Sequence, residues 1–372
     1  MLDCKKAYEL ICEAINRKDK SNEFETIFVQ NKTDKTDKTD INEDNIKTKE
    51  VKQEDNYVEV KRFAENFYKA PIVNYKGYLK GATQEDKNRY SEVISSILLS
   101  KDLLKSWKEL APVRSNHFDT KHASSESVDM EQLQGTNRKE EILAKLLFYQ
   151  REVSGLGHIF DYQTPLKKTK KDSYGKIDLL GYNKDDKCYS IIELKYRPSS
   201  SEETLLRCIL EAYTYYKLLD LKQLKSDVGH AGIKELKELP KYKHTDKAEL
   251  VILFDEKSRT KEDGGKDLNL MLRVKPKLDP KTVDTASYPS ETVISQQYKE
   301  CLELVNIDKR NSLRTLCKTI LEQEPKLKQI RFVVLRVDAE SESNYPTNIK
   351  GWSRKLDRLY RAETLLTIPS KG

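Results

Sequence analysis

The sequence predicts a mixed α/β protein, in which a β-sheet is flanked by helices and additional helical regions lie at both ends. Two observations predict this class. Near the middle of the 372-residue chain, short segments of strand character alternate with segments in which apolar residues recur at helical spacing. Toward both ends of the chain, helical spacing is the commoner pattern. Such an alternation is typical of a sheet that buries its faces against helices.

The composition of the chain disfavours several protein classes. There are 68 Lys and Arg against 61 Asp and Glu, so the net charge of +7 does not by itself indicate a nucleic-acid-binding protein. The 13 glycines form no Gly-x-Gly-x-x-Gly and no phosphate-binding loop, which disfavours nucleotide-dependent enzymes. The six dispersed cysteines favour reduced thiols over a zinc site. No apolar run reaches about 18 residues and the first residues lack a secretory leader, so we predict a cytoplasmic protein.

The N-terminal region, residues 1–135, is predicted to be mainly helical. Apolar positions at helical spacing predict a short helix near the start of the chain and a longer one from Tyr90 to Leu110. Residues 31–56 hold six Lys, eight acidic residues and few apolar ones. That segment cannot bury enough apolar surface to offset its chain entropy, so we predict a flexible charged linker. The alternative is a tail that binds a partner.

The central region, residues 136–256, is predicted to be a core with the order α-β-β-β-α-β. Its predicted elements are a helix from Arg138 to Glu152, strands at 158–166, 175–182 and 187–196, a helix from Glu202 to Leu221 and a strand from Glu249 to Phe254. The C-terminal region, residues 257–372, is predicted to be an α/β extension. Its predicted elements are helices near 293–306 and 310–323, a strand at 330–337 that can add to the core sheet, and a basic segment.

Two neighbouring strands of the predicted core contain charged residues. Glu193 and Lys195 share one face of their strand, because side chains alternate. Charges in an apolar strand are costly to bury unless something pairs with them. A turn that sets Tyr182 opposite Lys187 places Asp178 on the preceding strand diagonal to Glu193. Two carboxylates and an ammonium then converge, which predicts a site for a metal and a phosphate.

The Glu-x-Lys string alone is weak evidence for such a site. It recurs at 50–52, 59–61 and 235–237, as expected in a chain with 35% charged residues. The copy at 193–195 differs because a strand with Asp178 precedes it and predicted helices lie on both sides in the sequence. The alternative interpretation is a surface strand with an ion pair.

This arrangement resembles the PD-(D/E)XK nuclease superfamily, whose pattern is a helix with a Glu, a strand with an Asp and a strand with Asp/Glu-x-Lys. Asp178, Glu193 and Lys195 match, with fifteen residues from Asp178 to Glu193, and the similarity covers residues 138–256. Lys176-Ile177 stands where the superfamily's name-giving Pro is expected. The resemblance implies a restriction-endonuclease-like fold, with Asp178, Glu193 and Lys195 as catalytic residues. It also implies that Asp178 and Glu193 bind Mg²⁺ or Mn²⁺.

The acid on the superfamily's helix corresponds to Glu140 or Glu141. The apolar stripe of the predicted helix is centred about 90° from Glu140 and about 170° from Glu141. We therefore prefer Glu140 as a catalytic and metal-binding residue, with Glu141 facing solvent. In the second helix, Glu211 and Tyr215 are similar to the Gln-x-x-x-Tyr of RecB-like members, with Glu in place of Gln. These two are predicted accessory residues, and the sequence leaves open whether they face the site or water.

Two basic clusters are candidates for contacting a phosphate backbone. From 166 to 176 there are five Lys and one Asp, and from 350 to 361 there are five basic residues and one acid, with aromatic residues between them. The predicted nucleic-acid-binding residues are Lys167, Lys168, Lys170, Lys171, Arg354 and Lys355. The alternatives are a solvated hairpin loop for the first cluster and an amphipathic helix that caps a core for the second.

The resemblance implies a metal-dependent nuclease whose partner is nucleic acid, with DNA preferred over RNA, and with no membrane partner. Bacterial defence or restriction is the preferred context, ahead of recombination or repair, and a homodimer or a larger defence complex is a further expectation. The main alternative is a catalytically inactive nuclease-fold module that binds nucleic acid or a protein. A scaffold without a site is the third candidate.

Overall fold

The computed structural model describes part of the chain, in twelve segments. The described residues are 4–21, 63–76, 78–79, 89–114, 139–167, 175–196, 203–229, 247–254, 257–259, 292–306, 311–337 and 360–371. The chain divides into two compact units, residues 1–111 and 112–372. The predicted N-terminal region, 1–135, thus extends past the boundary between them. The linker predicted at 31–56 lies outside the described residues.

The described part of the first unit is helical. Helix α1 spans Cys4–Ala14 and helix α2 spans Tyr90–Ser100. Short 3-10 helices span Lys18–Lys20, Phe67–Lys69, Pro71–Asn74 and Leu103–Glu109. Buried aromatic rings stabilise this unit: Phe63 stacks on Phe67 at a centroid distance of 4.8 Å, and Trp107 meets both rings edge-on.

The long helix predicted from Tyr90 to Leu110 is interrupted. Asp102 has a φ of 54°, in the left-handed region, which a right-handed helix does not accommodate. The α-helix therefore ends at Ser100, and the chain resumes as a 3-10 helix at Leu103. The prediction of one continuous helix was wrong because the apolar spacing runs on through the break.

The described part of the second unit is built on a seven-stranded sheet with the order β1-β2-β3-β4-β5-β8-β9. Its strands are β1 Glu152–Val153, β2 Gly157–Pro165, β3 Lys176–Asn183, β4 Cys188–Lys195, β5 Ala248–Phe254, β8 Leu327–Val337 and β9 Tyr360–Pro369. Strands β4, β5 and β8 are parallel to one another, and the other pairs are antiparallel. Two short strands, β6 Lys257–Arg259 and β7 Thr292–Ile294, pair separately.

Helices cover both faces of this sheet. The helices are α3 Lys139–Gln150, α4 Leu205–Leu218, α5 Leu221–Gly229, α6 Gln296–Val305 and α7 Ser312–Gln323. Ile192 and Leu194 of β4 pack in one apolar core with side chains of α3. Lys195, on the opposite face of β4, contacts α4. The predicted mixed α/β class, a sheet flanked by helices, is therefore confirmed.

The hairpin of β3 and β4 has a register two residues from the predicted one. Tyr182 lies opposite Tyr189 instead of Lys187, because the turn comprises residues 184–187. The Asn183 side chain holds this turn, since its Oδ1 accepts hydrogen bonds from the amides of Asp185 and Asp186, each at 3.1 Å. A shift of two residues leaves every side chain on the face that alternation predicts.

The end of the chain differs from its prediction as a basic segment without a strand. Residues 360–369 form β9, which pairs with β8 along its length, and β8 pairs with β5. The Gln150 side chain donates to the Tyr360 carbonyl at 2.7 Å and accepts from the Tyr360 amide at 2.8 Å. The C-terminal region is thus part of the same sheet as the strands of the core. None of the helices in the described segments is long and apolar enough to cross a membrane.

Candidate active site

Asp178 lies where the backbone pairing of β3 with β4 ends. The last pair is Leu179 with Ile192, so Asp178 and Glu193 occupy the next facing positions. The Leu194 amide donates to Asp178 Oδ2 at 2.9 Å. Asp178 Oδ1 accepts from Gln163 Nε2 on β2 at 3.0 Å. Asp178 therefore joins three strands at one edge of the hairpin.

Lys195 is the cation at the centre of the site. Its ammonium forms ion pairs with Glu193 on the same strand, with Glu203 at 2.9 Å and with Glu211 at 3.3 Å. The Lys195 side chain is only 9% exposed and that of Glu193 3%. A lysine ammonium has three N–H donors, and three carboxylates surround this one. Because α4 contributes Glu211, docking of that helix on β4 completes the cluster.

Glu211 and Tyr215 face this cluster and not water, which answers the question that the sequence left open. The Tyr215 hydroxyl donates to Glu211 Oε1 at 2.8 Å, while Glu211 Oε2 accepts from Lys195. Gly175 leaves the space that the phenol needs, since a Cβ atom at this position would lie 2.1 Å from the Tyr215 hydroxyl oxygen. Any other residue at 175 would displace Tyr215.

Of the two acids at the start of α3, Glu140 is the one that reaches the site. Its Oε2 accepts a hydrogen bond from the Tyr196 amide, directly after β4, at 2.9 Å. Its charge also acts on Asp178 and Lys195. The preference for Glu140 over Glu141 therefore agrees with the position of the helix, while its catalytic role stays a prediction.

Carboxyl groups outnumber cationic groups in this cluster. Five carboxylates, those of Glu140, Asp178, Glu193, Glu203 and Glu211, face two cations, Lys195 and Arg207. Burial raises the pKa of Asp178 and of Glu193 well above the usual range, and repulsion from Glu140 and Glu211 respectively adds to the effect. Burial likewise raises the pKa of Glu140.

For the pKa of Lys195, neighbouring charges outweigh burial. Burial alone would lower the pKa of its ammonium, but Glu193, Glu211 and the other carboxylates outweigh burial and raise that pKa well above its usual value. For Glu211, burial is likewise outweighed, and Lys195 with Arg207 lowers its pKa. Lys195 is therefore a protonated, hydrogen-bond-donating group.

The donor set fits a hard divalent cation in three respects. The groups are carboxyl oxygens, the carboxyl groups outnumber the neighbouring cations, and Glu193 Oε2 is buried with no hydrogen-bond partner in the described segments. One observation points the other way. Among the described residues, no three His, Cys, Asp or Glu side chains are arranged as a metal-binding group. Asp178 and Glu140 already accept amide hydrogen bonds, and Lys195 lies beside Glu193.

The structure describes only part of the predicted nucleic-acid contacts. Lys167 is half-buried, and its carbonyl accepts from Arg114 at 3.2 Å. Tyr360, one of the aromatic residues in the second basic cluster, is buried in the core and is not available to stack on a base. The remaining predicted residues, Lys168, Lys170, Lys171, Arg354 and Lys355, lie outside the described residues.

Three residues of the cluster had no clear signal in the sequence. Gln163 lies in a strand with a φ of 51°, a left-handed conformation that strand periodicity does not predict. Glu203 and Arg207 form an ion pair at 3.0 Å across one helical turn. Their spacing predicts that pair, but their approach to Lys195 depends on how α4 docks against β4.

A second buried polar cluster lies at the other end of β4 and β5. Both oxygens of Glu249 accept hydrogen bonds: Oε1 from Ser190 at 2.7 Å and Asn183 at 3.2 Å, and Oε2 from Gln329 at 2.6 Å. Arg331 Nε lies 3.6 Å from Glu249 Oε2. Nearby, Asp186 pairs with Lys328 at 2.8 Å.

Comparison with known proteins gave no match: no protein-family model, no curated protein and no solved structure matches this chain.

Proposed function

We propose that this chain is a metal-dependent nuclease of the PD-(D/E)XK type that hydrolyses phosphodiester bonds, with DNA preferred over RNA. The observation that supports the proposal most is the convergence of Asp178, Glu193 and Lys195 in one buried cluster with excess negative charge. A cluster of this kind is costly to keep in a folded protein, because its carboxylates are desolvated and repel one another. A divalent cation would offset that cost.

Asp178 and Glu193 would hold the metal ion, Mg²⁺ or Mn²⁺, through carboxylate oxygens, with Glu140 close by. When bound, such an ion lowers the pKa of a coordinated water and polarises a phosphate oxygen. Lys195 stays protonated between its carboxylates, so its part is to donate hydrogen bonds to a phosphate oxygen on which charge develops. A role for Lys195 as general base is disfavoured on the same grounds.

The Lys-rich segment 166–176 offers a place for the rest of the substrate. Its two ends are joined by the Leu166 amide, which donates to the Gly175 carbonyl at 3.3 Å, and Gly175 abuts the Tyr215 hydroxyl. The described ends of the segment therefore lie beside Tyr215, whose hydroxyl donates to Glu211 of the carboxylate cluster. Lys167, Lys168, Lys170 and Lys171 are proposed to contact phosphates next to the scissile bond.

One observation favours the second candidate, an inactive nuclease-fold module that binds nucleic acid or a protein. Lys195 already neutralises part of the carboxylate cluster, and the described residues hold no assembled three-ligand metal group. In that case the ion-pair cluster would serve the fold, and binding would depend on the basic surface alone.

A cleavage assay separates the two candidates. The full chain is incubated with plasmid, linear duplex, single-stranded DNA and RNA, each with Mg²⁺, Mn²⁺ or EDTA. We expect metal-dependent cleavage that Asp178→Ala and Lys195→Ala each reduce by about 10²-fold or more. The matched controls are Glu322→Ala and Lys371→Ala, which remove an exposed acid and an exposed lysine that pair with each other.

Each negative outcome has a distinct meaning. Absence of metal-dependent cleavage on every substrate, together with retained nucleic-acid binding, would favour the inactive module. Cleavage that survives both Asp178→Ala and Lys195→Ala would contradict this site assignment.

A further inference from the structure

Glu203 has a contact pattern that differs from those of the other acids around Lys195. It lies just before α4, outside the matched superfamily pattern. Its Oε2 lies 2.9 Å from the Lys195 ammonium, and its Oε1 lies 3.0 Å from Arg207 Nε. One carboxylate thus lies between two buried or half-buried cations. Both contacts are ion pairs and not hydrogen bonds, since Glu203 Oε2 and Arg207 Nε have no hydrogen-bond partner among the described residues.

The backbone on both sides of Glu203 is held by α6, in the C-terminal region of the chain. Gln297 Nε2 donates to the Glu203 carbonyl at 2.8 Å. Glu300 Oε2 accepts from the Leu205 amide at 2.5 Å, and Glu300 Oε1 accepts from Gln296 at 2.8 Å. The two residues of α6 that reach this backbone are almost fully buried, Gln297 at 1% and Glu300 at 3% exposure.

The start of α4 alone does not require this support. Thr204 already caps the helix, because its side chain accepts from the Arg207 amide at 3.3 Å. Burying a further amide and a further carboxylate is costly unless their hydrogen bonds are made, and here they are made to the residues flanking Thr204. The added contacts therefore hold the segment from Glu203 to Leu205 in one place.

We propose that Glu203 is a positioning residue for Lys195 and that Gln297 and Glu300 of α6 set its position. Without Glu203, the ammonium keeps its contacts with Glu193 and Glu211 but loses its third carboxylate, so it is held less tightly. The C-terminal region then has a part in the site, in addition to its strands in the sheet. The catalytic meaning of this positioning rests on the proposed nuclease function, whereas the positioning itself does not.

The first test measures how tightly the Lys195 amine is held and how well it is shielded from a reagent, without any cleavage. Wild-type protein, Glu203→Gln and Gln297→Ala are treated with an amine-acylating reagent, and Lys195 is followed by peptide mass spectrometry. Lys217, which pairs with Glu324, is the internal reference, and Glu322→Gln on the exposed face of α7 is the control. We expect acylation of Lys195 relative to Lys217 to rise about fivefold in Glu203→Gln, the equivalent of about 1 kcal/mol, and to rise less in Gln297→Ala.

The second test uses kinetics with the best DNA substrate. Glu203→Gln is expected to lower kcat about tenfold with little change in KM, because it disturbs a group that acts on the transition state and not on binding. Glu203→Asp, which keeps the charge, is expected to recover part of the loss. A purely structural role predicts no such rescue in correctly folded variants.

The outcomes separate the two proposals. If wild-type protein cleaves nothing but Lys195 acylation rises in Glu203→Gln, the nuclease function fails and the positioning role stands. Unchanged Lys195 acylation in both folded variants overturns the positioning role, whatever the wild type cleaves. If Glu203→Gln does not fold, the acylation of Lys195 in Gln297→Ala tests the positioning role, since that variant leaves every carboxylate in place.

Discussion

The sheet contains two buried polar clusters at opposite ends of the same strands, and they differ in charge balance. Around Glu249, two carboxylates meet two cations, since Asp186 lies near Lys328 and Arg331 lies near Glu249. Both oxygens of Glu249 accept hydrogen bonds. In the candidate site, five carboxylates meet two cations, and Glu193 Oε2 has no hydrogen-bond partner in the described segments.

The comparison shows what a buried polar network needs in order to stabilise a fold. Hydrogen bonds to both oxygens of the buried carboxylate and balanced charge make the Glu249 cluster self-sufficient, although Arg331 Nε has no hydrogen-bond partner among the described residues. The candidate site lacks both, although it lies in the same sheet and shares β4 with the other cluster. An unbalanced cluster is expected where a ligand of opposite charge completes it, which is the basis of the proposed metal site.

Glu249→Ala is expected to have the largest effect. The substitution removes the carboxylate beside buried Arg331 and the acceptor of the Ser190 hydroxyl, although Gln329 keeps Asp186 and Arg331 keeps the Gly155 carbonyl as acceptors. Because a buried guanidinium is left without its carboxylate, the free energy of unfolding should fall by about 3–5 kcal/mol. Chemical denaturation measures the change, and Glu363→Ala on the exposed face of β9 is the control. A loss of less than about 1 kcal/mol would mean that water or neighbouring groups replace the lost acceptor, and the two clusters would then be alike.

Magnesium ions are expected to stabilise the wild-type protein through the candidate site only. At a concentration about 100 times Kd, binding to the folded state adds about 2.7 kcal/mol to the free energy of unfolding. Melting curves with and without Mg²⁺ measure this, and Asp178→Ala should abolish the shift while Glu249→Gln keeps it. An equal shift in Asp178→Ala would place the ion elsewhere.

Glu193→Gln is expected to stabilise the protein without metal by about 1–2 kcal/mol while it abolishes cleavage. The substitution removes a carboxyl group whose ionisation is disfavoured by burial and by repulsion from Glu211, and it leaves the shape of the side chain unchanged. Denaturation curves in EDTA measure the gain. Glu249→Gln, in contrast, should lower the free energy of unfolding. A lower free energy of unfolding in both variants would contradict the proposed difference between the clusters.

A smaller effect on stability is expected at Glu152. This residue is half-exposed, so it shows how much an ion pair near the surface contributes. The hydrogen bond from His158, followed by that from Lys184, outweighs partial burial and lowers the pKa of Glu152 from 4.5 to about 2. Because the folded-state pKa is lowered, the stabilisation is present above pH 4.5 and is lost as the pH falls toward 2. Melting temperatures of wild type and Glu152→Gln should therefore differ slightly at pH 6 and converge at pH 2–3. A difference that stays constant with pH would assign the effect to packing.

The sequence predicted the elements of the central region well, because their periodicities are local. The helix on which Glu140 lies, the strands with Asp178, Glu193 and Lys195, and the faces of those side chains all follow from apolar spacing and alternation. The exact pairing of the hairpin did not follow, since it depends on the turn that Asn183 builds. Two further errors have similar causes: the break at Asp102 interrupts a continuous pattern, and residues 360–369 pair as a strand although their composition is basic.

The sequence by itself determined which residue types were available for chemistry and that Glu193 and Lys195 share a face, because alternation is a property of the strand alone. Only the tertiary structure decided their surroundings. Docking of α4 on β4 brings Glu203 and Glu211 to Lys195, and α6 holds the start of α4. These contacts join residues far apart in the chain, so their energies depend on packing that no local pattern contains. The charge excess that supports a metal site is likewise a sum over elements that meet only in the folded protein.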